Sequence, residues 1–296
     1  MMVRTAHPTS EVFPVKPPSP GRGGVRWERA GGEDSGWGAA LAFRYCHCFP
    51  IQSRPVSAPR HSRRLLLFTK PAREGRVKTR LIGDLTAAQA AALHAAFLED
   101  LLDRLRAGEF ELRIAWALEP GEAMPQILEG PWLGLRQEGS DLGGRLYRAL
   151  HDAAAGAGAV AALGSDHPTL PLEMVHRAFE TIESGADVVL GPAEDGGYYL
   201  IALRAGAVTP RLFAEIAWST DQVLAATLAR CRELGLAVEL LPAASDVDTP
   251  EDLRRLAARM AEDDLGCPRT RALLGSLGFL QSRIQNPKSK MEEGVA

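Results

Sequence analysis

The sequence predicts an α/β protein with a mixed, mostly parallel sheet covered by helices on both faces. Three observations lead there. Short apolar runs alternate with longer helical patterns across roughly 200 residues, the order that gives parallel sheets with crossover helices. With 46% hydrophobic and 24% charged residues, the chain has the balance of a globular protein able to bury a core. The unusual polar residues stand directly after the apolar runs, and open α/β sheets bind ligands at the carboxyl ends of their strands.

The elements follow in order. Leu65–Thr69 is an apolar run suited to a buried strand. Thr86-Ala87-Ala88-Gln89 has the form of a capping box and opens an Ala/Leu-rich helix running to about Arg106, with Gly108 as its stop. Leu112–Ala117 is a second strand and Leu133–Gln137 a weaker third. A helix from Asp141 to about Ala155 sets Leu142, Leu146 and Leu150 on one face. Ala159–Leu163 is a strand, and Pro171 suits the first turn of a helix reaching Glu183. Asp187–Leu190 and Tyr198–Leu203 are strands too close together for a helical crossover, which makes the sheet mixed. Ser219-Thr220-Asp221-Gln222 has capping-box form before a helix ending near Gly235. Ala237–Leu241 is the last strand, and Thr249-Pro250 opens a final helix to about Glu262.

Charge divides the chain unevenly. Residues 1–64 carry ten Lys/Arg against four Asp/Glu, while the remainder of the 34 basic and 37 acidic residues gives 24 against 33. The first stretch also holds eight Pro and seven Gly, which suits a disordered leader or a start assigned too far upstream better than a packed domain. A basic arm could bind nucleic acid, but no nucleic-acid partner is expected. Met1–Pro20 lacks the apolar core of a secretory signal. Cys46-His47-Cys48 is spaced too tightly for a metal site, and no second pair follows it. The division expected is a leader at 1–64, an α/β domain at 65–275 and a flexible tail at 276–296. No apolar run approaches the length of about 18 residues that a membrane span needs. Cys46, Cys48, Cys231 and Cys267 make no disulfide framework, and a cytoplasmic, reducing location is expected.

The chemistry gathers after strand ends. Lys70, Arg73, Arg76, Lys78 and Arg80 crowd the loop after the first strand, with Gly75 at its turn. Such a loop suits a phosphate, through charged donors and exposed amides, although it would also serve as a solvated surface loop. It is not a Walker loop, since Ala72 and Val77 stand where glycines are required. Asp166 follows the strand at 159–163 and is a natural ligand for Mg²⁺ or Mn²⁺, or else a helix cap, for which Thr169 is better placed. If other carboxylates crowd it, Asp166→Asn would relieve repulsion. His167 reads as structural. Glu194-Asp195-Gly196-Gly197 is a turn by chemistry, yet its two carboxylates could orient sugar hydroxyls or act as a base. Asp248 is either a second metal ligand or a partner for the first-turn amides of the last helix. Asp246-Val247-Asp248-Thr249 has the spacing of the haloacid-dehalogenase nucleophile loop, but too little chain follows it for that fold.

Taken together, these segments resemble a known family. They are Gly75–Leu81, Gln137 with Asp141-Leu142-Gly143, Gly164–Pro168, Gly191–Leu200, Trp218-Ser219-Thr220, Asp246–Leu253 and Cys267–Arg271. The chain is similar over about 65–275 to the bacterial arsenosugar-biosynthesis-type glycosyltransferase family, a glycosyltransferase-like domain of unknown function. More distantly, it resembles the phospholactate guanylyltransferases. The resemblance implies the GT-A, or nucleotide-diphospho-sugar transferase, fold with Mg²⁺ or Mn²⁺ as cofactor. Carried onto this chain, it implies nucleotide binding by Lys70, Gly75, Lys78, Thr79, Arg80 and Asp141, metal binding by Asp166 and Asp248, and catalysis by Asp195 and Glu194. Two reactions remain open. One moves a sugar from a nucleotide to a small-molecule acceptor, and the other moves a nucleotidyl group to a small phosphorylated acceptor. A nucleotide-binding module without turnover is a third reading.

Overall fold

The apolar run at Leu65-Leu66-Leu67 becomes the centre of a sheet, and all three side chains are fully buried. The structure is a computed structural model that describes residues 62–125, 130 and 132–280. Residues 1–61, with Cys46-His47-Cys48, and the tail beyond residue 280 lie outside the described residues. Arg63 and Arg64, placed in the leader by composition, instead open the first strand of the fold. Among the described residues seven strands form one sheet: β1 (Arg63–Thr69), β2 (Glu111–Trp116), β3 (Leu133–Arg136), β4 (Ala159–Gly164), β5 (Val188–Pro192), β6 (Tyr198–Arg204) and β7 (Val238–Leu240). Their order is β3-β2-β1-β4-β6-β5-β7. Every pair is parallel except those made by β6, which is antiparallel to both β4 and β5. The short connection before Tyr198 therefore has the consequence expected of it.

Helices α1 (Ala87–Leu105), α2 (Leu142–Ala154), α3 (Leu172–Glu183), α4 (Pro210–Phe213), α5 (Val223–Glu233), α6 (Pro250–Glu262) and α7 (Pro268–Ser276) complete the described fold. Strand alternation sends successive side chains to opposite faces. Leu65 and Leu67 pack with Leu101 of α1 and Phe179 of α3. Leu66 points the other way, toward Leu150 of α2 and Cys231 of α5. A third cluster joins the outer side of α1, through Leu93 and Phe97, to Leu256 of α6 and Leu274 of α7.

The expected capping box of α1 is present: Gln89 N–H donates to Thr86 Oγ1 at 3.1 Å, and Thr86 N–H donates to Gln89 Oε1 at 2.8 Å. Thr249 caps α6 in the same way, with Asp252 as the reciprocal partner. The box expected at Ser219–Gln222 does not form. Ser219 adopts φ 64°, and α5 begins after Gln222 with no side-chain cap. Leu142 stays 41% exposed because it stands at the very start of α2, before the helix meets the sheet. α7 has no counterpart in the sequence analysis. Leu277, Phe279 and Leu280 beyond it pack against the third cluster, so packed chain runs past residue 275 to Leu280.

Candidate active site

β1 delivers the chain to the basic loop at the carboxyl edge of the sheet. His94 of α1 holds the loop's first residue, its Nε2 lying 3.0 Å from the Lys70 carbonyl and 3.3 Å from Thr69 Oγ1. Ser165 Oγ donates to the same Thr69 hydroxyl at 2.9 Å, which ties the ends of β1 and β4 together. Burial lowers the His94 pKa and favours the neutral ring. Gly75 turns the loop at φ 68°, in the left-handed region open to glycine. Arg73 pairs with Glu122 at 2.6 Å and Arg76 with Glu119 at 3.6 Å, in the segment after β2. Lys70 and Thr79 are exposed, and the Arg80 side chain is 74% exposed.

Lys78 does something different. Its backbone is left-handed, at φ 47° and ψ 38°, just before the 3-10 turn Thr79–Leu81. That conformation drives the side chain inward until only 2% of it is exposed. There the ammonium donates to Asp166 Oδ1, and to Asp248 Oδ1 at 2.9 Å. Arg80 approaches the other Asp248 oxygen at 3.9 Å. The two carboxylates singled out as metal ligands thus meet on one cation supplied by the chain itself. They come together because the Val247 N–H donates to the Asp166 carbonyl at 3.2 Å and the Ala244 N–H to the Pro192 carbonyl at 3.0 Å. These bonds draw the segment before α6 across the ends of β4 and β5.

The electrostatics follow from this arrangement. Burial alone would lower the Lys78 pKa, but Asp166 and Asp248 outweigh it and hold the ammonium protonated. Burial alone would raise Asp166, but the Lys78 charge holds it below the usual carboxylate range. Asp166 is therefore stabilised as an anion rather than crowded, contrary to the expectation that removing its charge would relieve repulsion. Strain of that kind falls on Asp246, whose pKa is pushed up to about 6 by burial and by Asp248 and Asp195. The sequence placed Asp246 in the motif without a role, and a carboxylate two residues from Asp248 was the only signal available.

The two candidate catalytic carboxylates part company. Asp195 caps its own turn, accepting the Gly197 N–H at 2.9 Å, and its charge reaches Asp246 and His167. Glu194 is exposed and turns toward Arg255 of α6, 4.0 Å away. His167 is buried against the Tyr199 ring, with centroids 5.2 Å apart, and burial pushes its pKa down to about 4. Tyr199 itself packs in the core and donates to the Pro242 carbonyl at 3.2 Å.

Asp141 serves as the N-cap of α2, accepting the Gly144 N–H at 2.7 Å. Beside it, a Cβ on Gly143 would lie 2.4 Å from the Trp218 indole nitrogen, so glycine is what lets the Trp218 segment approach. The same segment crosses the hairpin turn, where a Cβ on Gly196 would lie 2.2 Å from the Asp221 carbonyl oxygen. Gln137 donates to the Ala115 carbonyl at 2.8 Å and buttresses the end of β2. The structure therefore brings together Lys78, Asp166 and Asp248, with Arg80 at their margin and Asp195 acting across the mouth. Lys70, Gly75, Thr79 and Glu194 remain on the exposed loops around them. His94 had no sequence signal, since it stands mid-helix without a motif.

Among the described residues no group of three or more His, Cys, Asp and Glu side chains stands ready to hold a metal ion. Asp166 and Asp248 nonetheless offer two hard oxygen donors converging on one point. That set fits Mg²⁺ or Mn²⁺, which take one or two protein carboxylates and complete their shell with phosphate and water.

No curated protein matches the chain. A family model described as "Uncharacterized protein conserved in bacteria (DUF2064)" matches residues 101–220. Among solved structures, a protein from Desulfovibrio desulfuricans G20, assigned as a nucleotide-diphospho-sugar transferase, is 33% identical, with a TM-score of 0.69 over 74% of this chain and 96% of its own. A cytidylyltransferase from Leptospira borgpetersenii serovar Hardjo-bovis (strain JB197) is 12% identical, with a TM-score of 0.45 over 76% of this chain and 99% of its own. The 2-C-methyl-D-erythritol 4-phosphate cytidylyltransferase of Thermus thermophilus is 19% identical, with a TM-score of 0.42 over 69% and 100%. With 33% identity over 96% of the Desulfovibrio protein, this chain belongs to that protein's family and shares its fold.

Proposed function

We propose that the protein is a metal-dependent glycosyltransferase that takes a sugar from a nucleoside-diphosphate sugar to a small-molecule acceptor. One observation carries the reading: a buried cation and two carboxylates, Lys78 with Asp166 and Asp248, meet at the carboxyl edge of the sheet beneath a basic loop. The 33% identity to a protein assigned as a nucleotide-diphospho-sugar transferase supports it.

Each residue then has a task. Lys70, Lys78 and Arg80, with the backbone at Gly75 and Thr79, hold the phosphates. Asp141 contacts the nucleotide with the carboxylate oxygen not engaged by Gly144. Asp166 and Asp248 hold Mg²⁺ or Mn²⁺, which when bound neutralises charge on the departing diphosphate. Asp195 accepts the proton of the acceptor hydroxyl, and Glu194 orients a hydroxyl of the sugar or acceptor. The bond from the anomeric carbon to the diphosphate breaks, a bond to the acceptor oxygen forms, and the nucleoside diphosphate leaves.

Nucleotidyl transfer is the second reading, favoured by five basic residues in one short loop, a density that also suits a triphosphate. The products separate the two. Incubating the protein and Asp166→Asn with Mn²⁺ and a panel of nucleotide sugars should release nucleoside diphosphate, with the variant slower by about 10²-fold. Pyrophosphate release from a triphosphate, without diphosphate release from any nucleotide sugar, would replace the first reading with the second. Neither product, with nucleotide still bound, would leave a binding module.

A further inference from the structure

An ammonium group has three donors. In Lys78 one goes to Asp166 and one to Asp248, and the group also lies 5.6 Å from the centroid of the Phe97 ring. Two of its three donors are thus taken by carboxylates, and its side chain is only 2% exposed. The carboxylates it binds are open, with 45% of the Asp166 side chain and 37% of the Asp248 side chain accessible. Solvent therefore reaches both carboxylates, while the Lys78 ammonium meets them from a buried side chain. In this state Lys78 directs two of its three donors at the carboxylates, and its charge is committed to them. An ion arriving from solvent meets two carboxylates that already share a positive charge.

We infer that Lys78 is a tethered cation that holds Asp166 and Asp248 in the nucleotide-free protein and passes to the phosphates when a divalent ion takes the two carboxylates. The inference rests on the metal assignment proposed above. Two carboxylates with one ammonium carry a net charge of −1. A divalent ion added alone must share them with a like charge, and a diphosphate added alone faces acidic side chains. The two together balance, because the ion satisfies the carboxylates and the diphosphate satisfies the released ammonium. Ion and nucleotide then tighten each other's binding by the same factor, as linkage requires.

Mn²⁺ binding followed by electron paramagnetic resonance, without nucleotide, tests the exchange. Lys78→Met should bind Mn²⁺ at least tenfold more tightly than the unaltered protein, and Lys78→Met with Asp166→Asn should lose that gain. Binding by Lys78→Met no tighter than by the unaltered protein would overturn the inference. A parallel titration with a mixture of ADP, GDP, CDP and UDP shows which idea has failed. Mn²⁺ bound in an Asp166-dependent manner there would leave the metal assignment standing and remove only the exchange. Mn²⁺ binding that ignores Asp166 would remove both. If Lys78→Met is unfolded without metal, recovery of a cooperative melt by Mn²⁺, absent when Asp166 is also changed, supports the exchange. No recovery overturns it.

Discussion

Arg104 on α1 serves carbonyls. Its Nη1 donates to the Pro168 and Leu170 carbonyls at 2.5 and 3.1 Å, and its Nη2 to those of Leu265 and Gly266 at 2.9 and 3.0 Å. It thereby fixes the segment just after Asp166 from behind. Arg104→Met should cost about 2 kcal/mol by chemical denaturation, since part-buried carbonyls lose charged donors. Lysine there should recover little, because it lacks the planar fork. Two other residues shape the response to acid. His167 is held at about 4 against an ordinary 6.5, so between those values the unfolded chain binds a proton the folded one refuses. Its contribution to stability is lost as pH falls from 6.5 toward 4. Asp246 is held at about 6 against 3.8, so the folded state binds the extra proton, and its contribution grows as pH falls through the same window. The two oppose each other. With a chelator present, Asp246→Asn should make the melting temperature drop more steeply on acidification, and His167→Gln should flatten it. Parallel curves by calorimetry would refute both assignments. The sequence made Lys78, Asp166 and Asp248 visible as polar residues after strand ends. It could not show that Lys78 is buried, because that depends on a left-handed turn and on a contact with Asp248 far along the chain.

At the scale of elements, α7 shows what local pattern misses. It is nine residues long, and its N-terminus is capped from another helix. Asp100 of α1, 1% exposed, accepts the Arg269 N–H at 3.1 Å and the Thr270 N–H at 2.8 Å. No reading of residues 265–270 alone could find that cap. Asp100→Ala should destabilise by about 1–3 kcal/mol, the range for a lost cap that leaves buried donors unpaired. Hydrogen exchange should quicken at Arg269–Leu274 before it does in β4, and equal protection in both would argue against this role. The α5 cap went the other way, with a good local signal overridden. Ser219 takes a positive φ as the segment crosses the hairpin turn, and the Leu224 N–H donates to the Gly196 carbonyl at 2.9 Å. Tertiary contact decided that helix start, whereas the boxes at Thr86 and Thr249 had no such competitor.

Across the whole molecule, the order of the strands and of every helix but α4 and α7 was legible because hydrophobic period and turn residues agree, and the antiparallel β6 followed from connection length alone. No helix among the described residues is long and apolar enough to cross a membrane. β1 begins at Arg63, whose guanidinium pairs with Glu183 at 2.6 Å, and the Ser62 carbonyl accepts the Gly158 N–H at 2.8 Å. A chain beginning at His61 keeps both contacts. It should melt within a few degrees of the full chain, given the Pro- and Gly-rich composition of what is removed. A large loss measured by calorimetry would mean that residues 1–60 contribute to the fold.

The central place of β1 also bears on how the chain reaches this state. β1 is flanked by β2 and β4, and the Thr69 hydroxyl meets Ser165, 96 residues further on. During synthesis Leu65-Leu66-Leu67-Phe68 would emerge early and wait for β4 before both its edges are paired. β5 and β6, by contrast, are near neighbours in sequence and can pair at once. Local hairpins form in microseconds, while closing long loops between parallel strands is slow. The residues that later line up the cleft are thus joined by the last contacts to form. A strand with four consecutive large apolar residues is thus left open to wrong partners for long, which makes slow refolding and aggregation at high concentration the expected hazard.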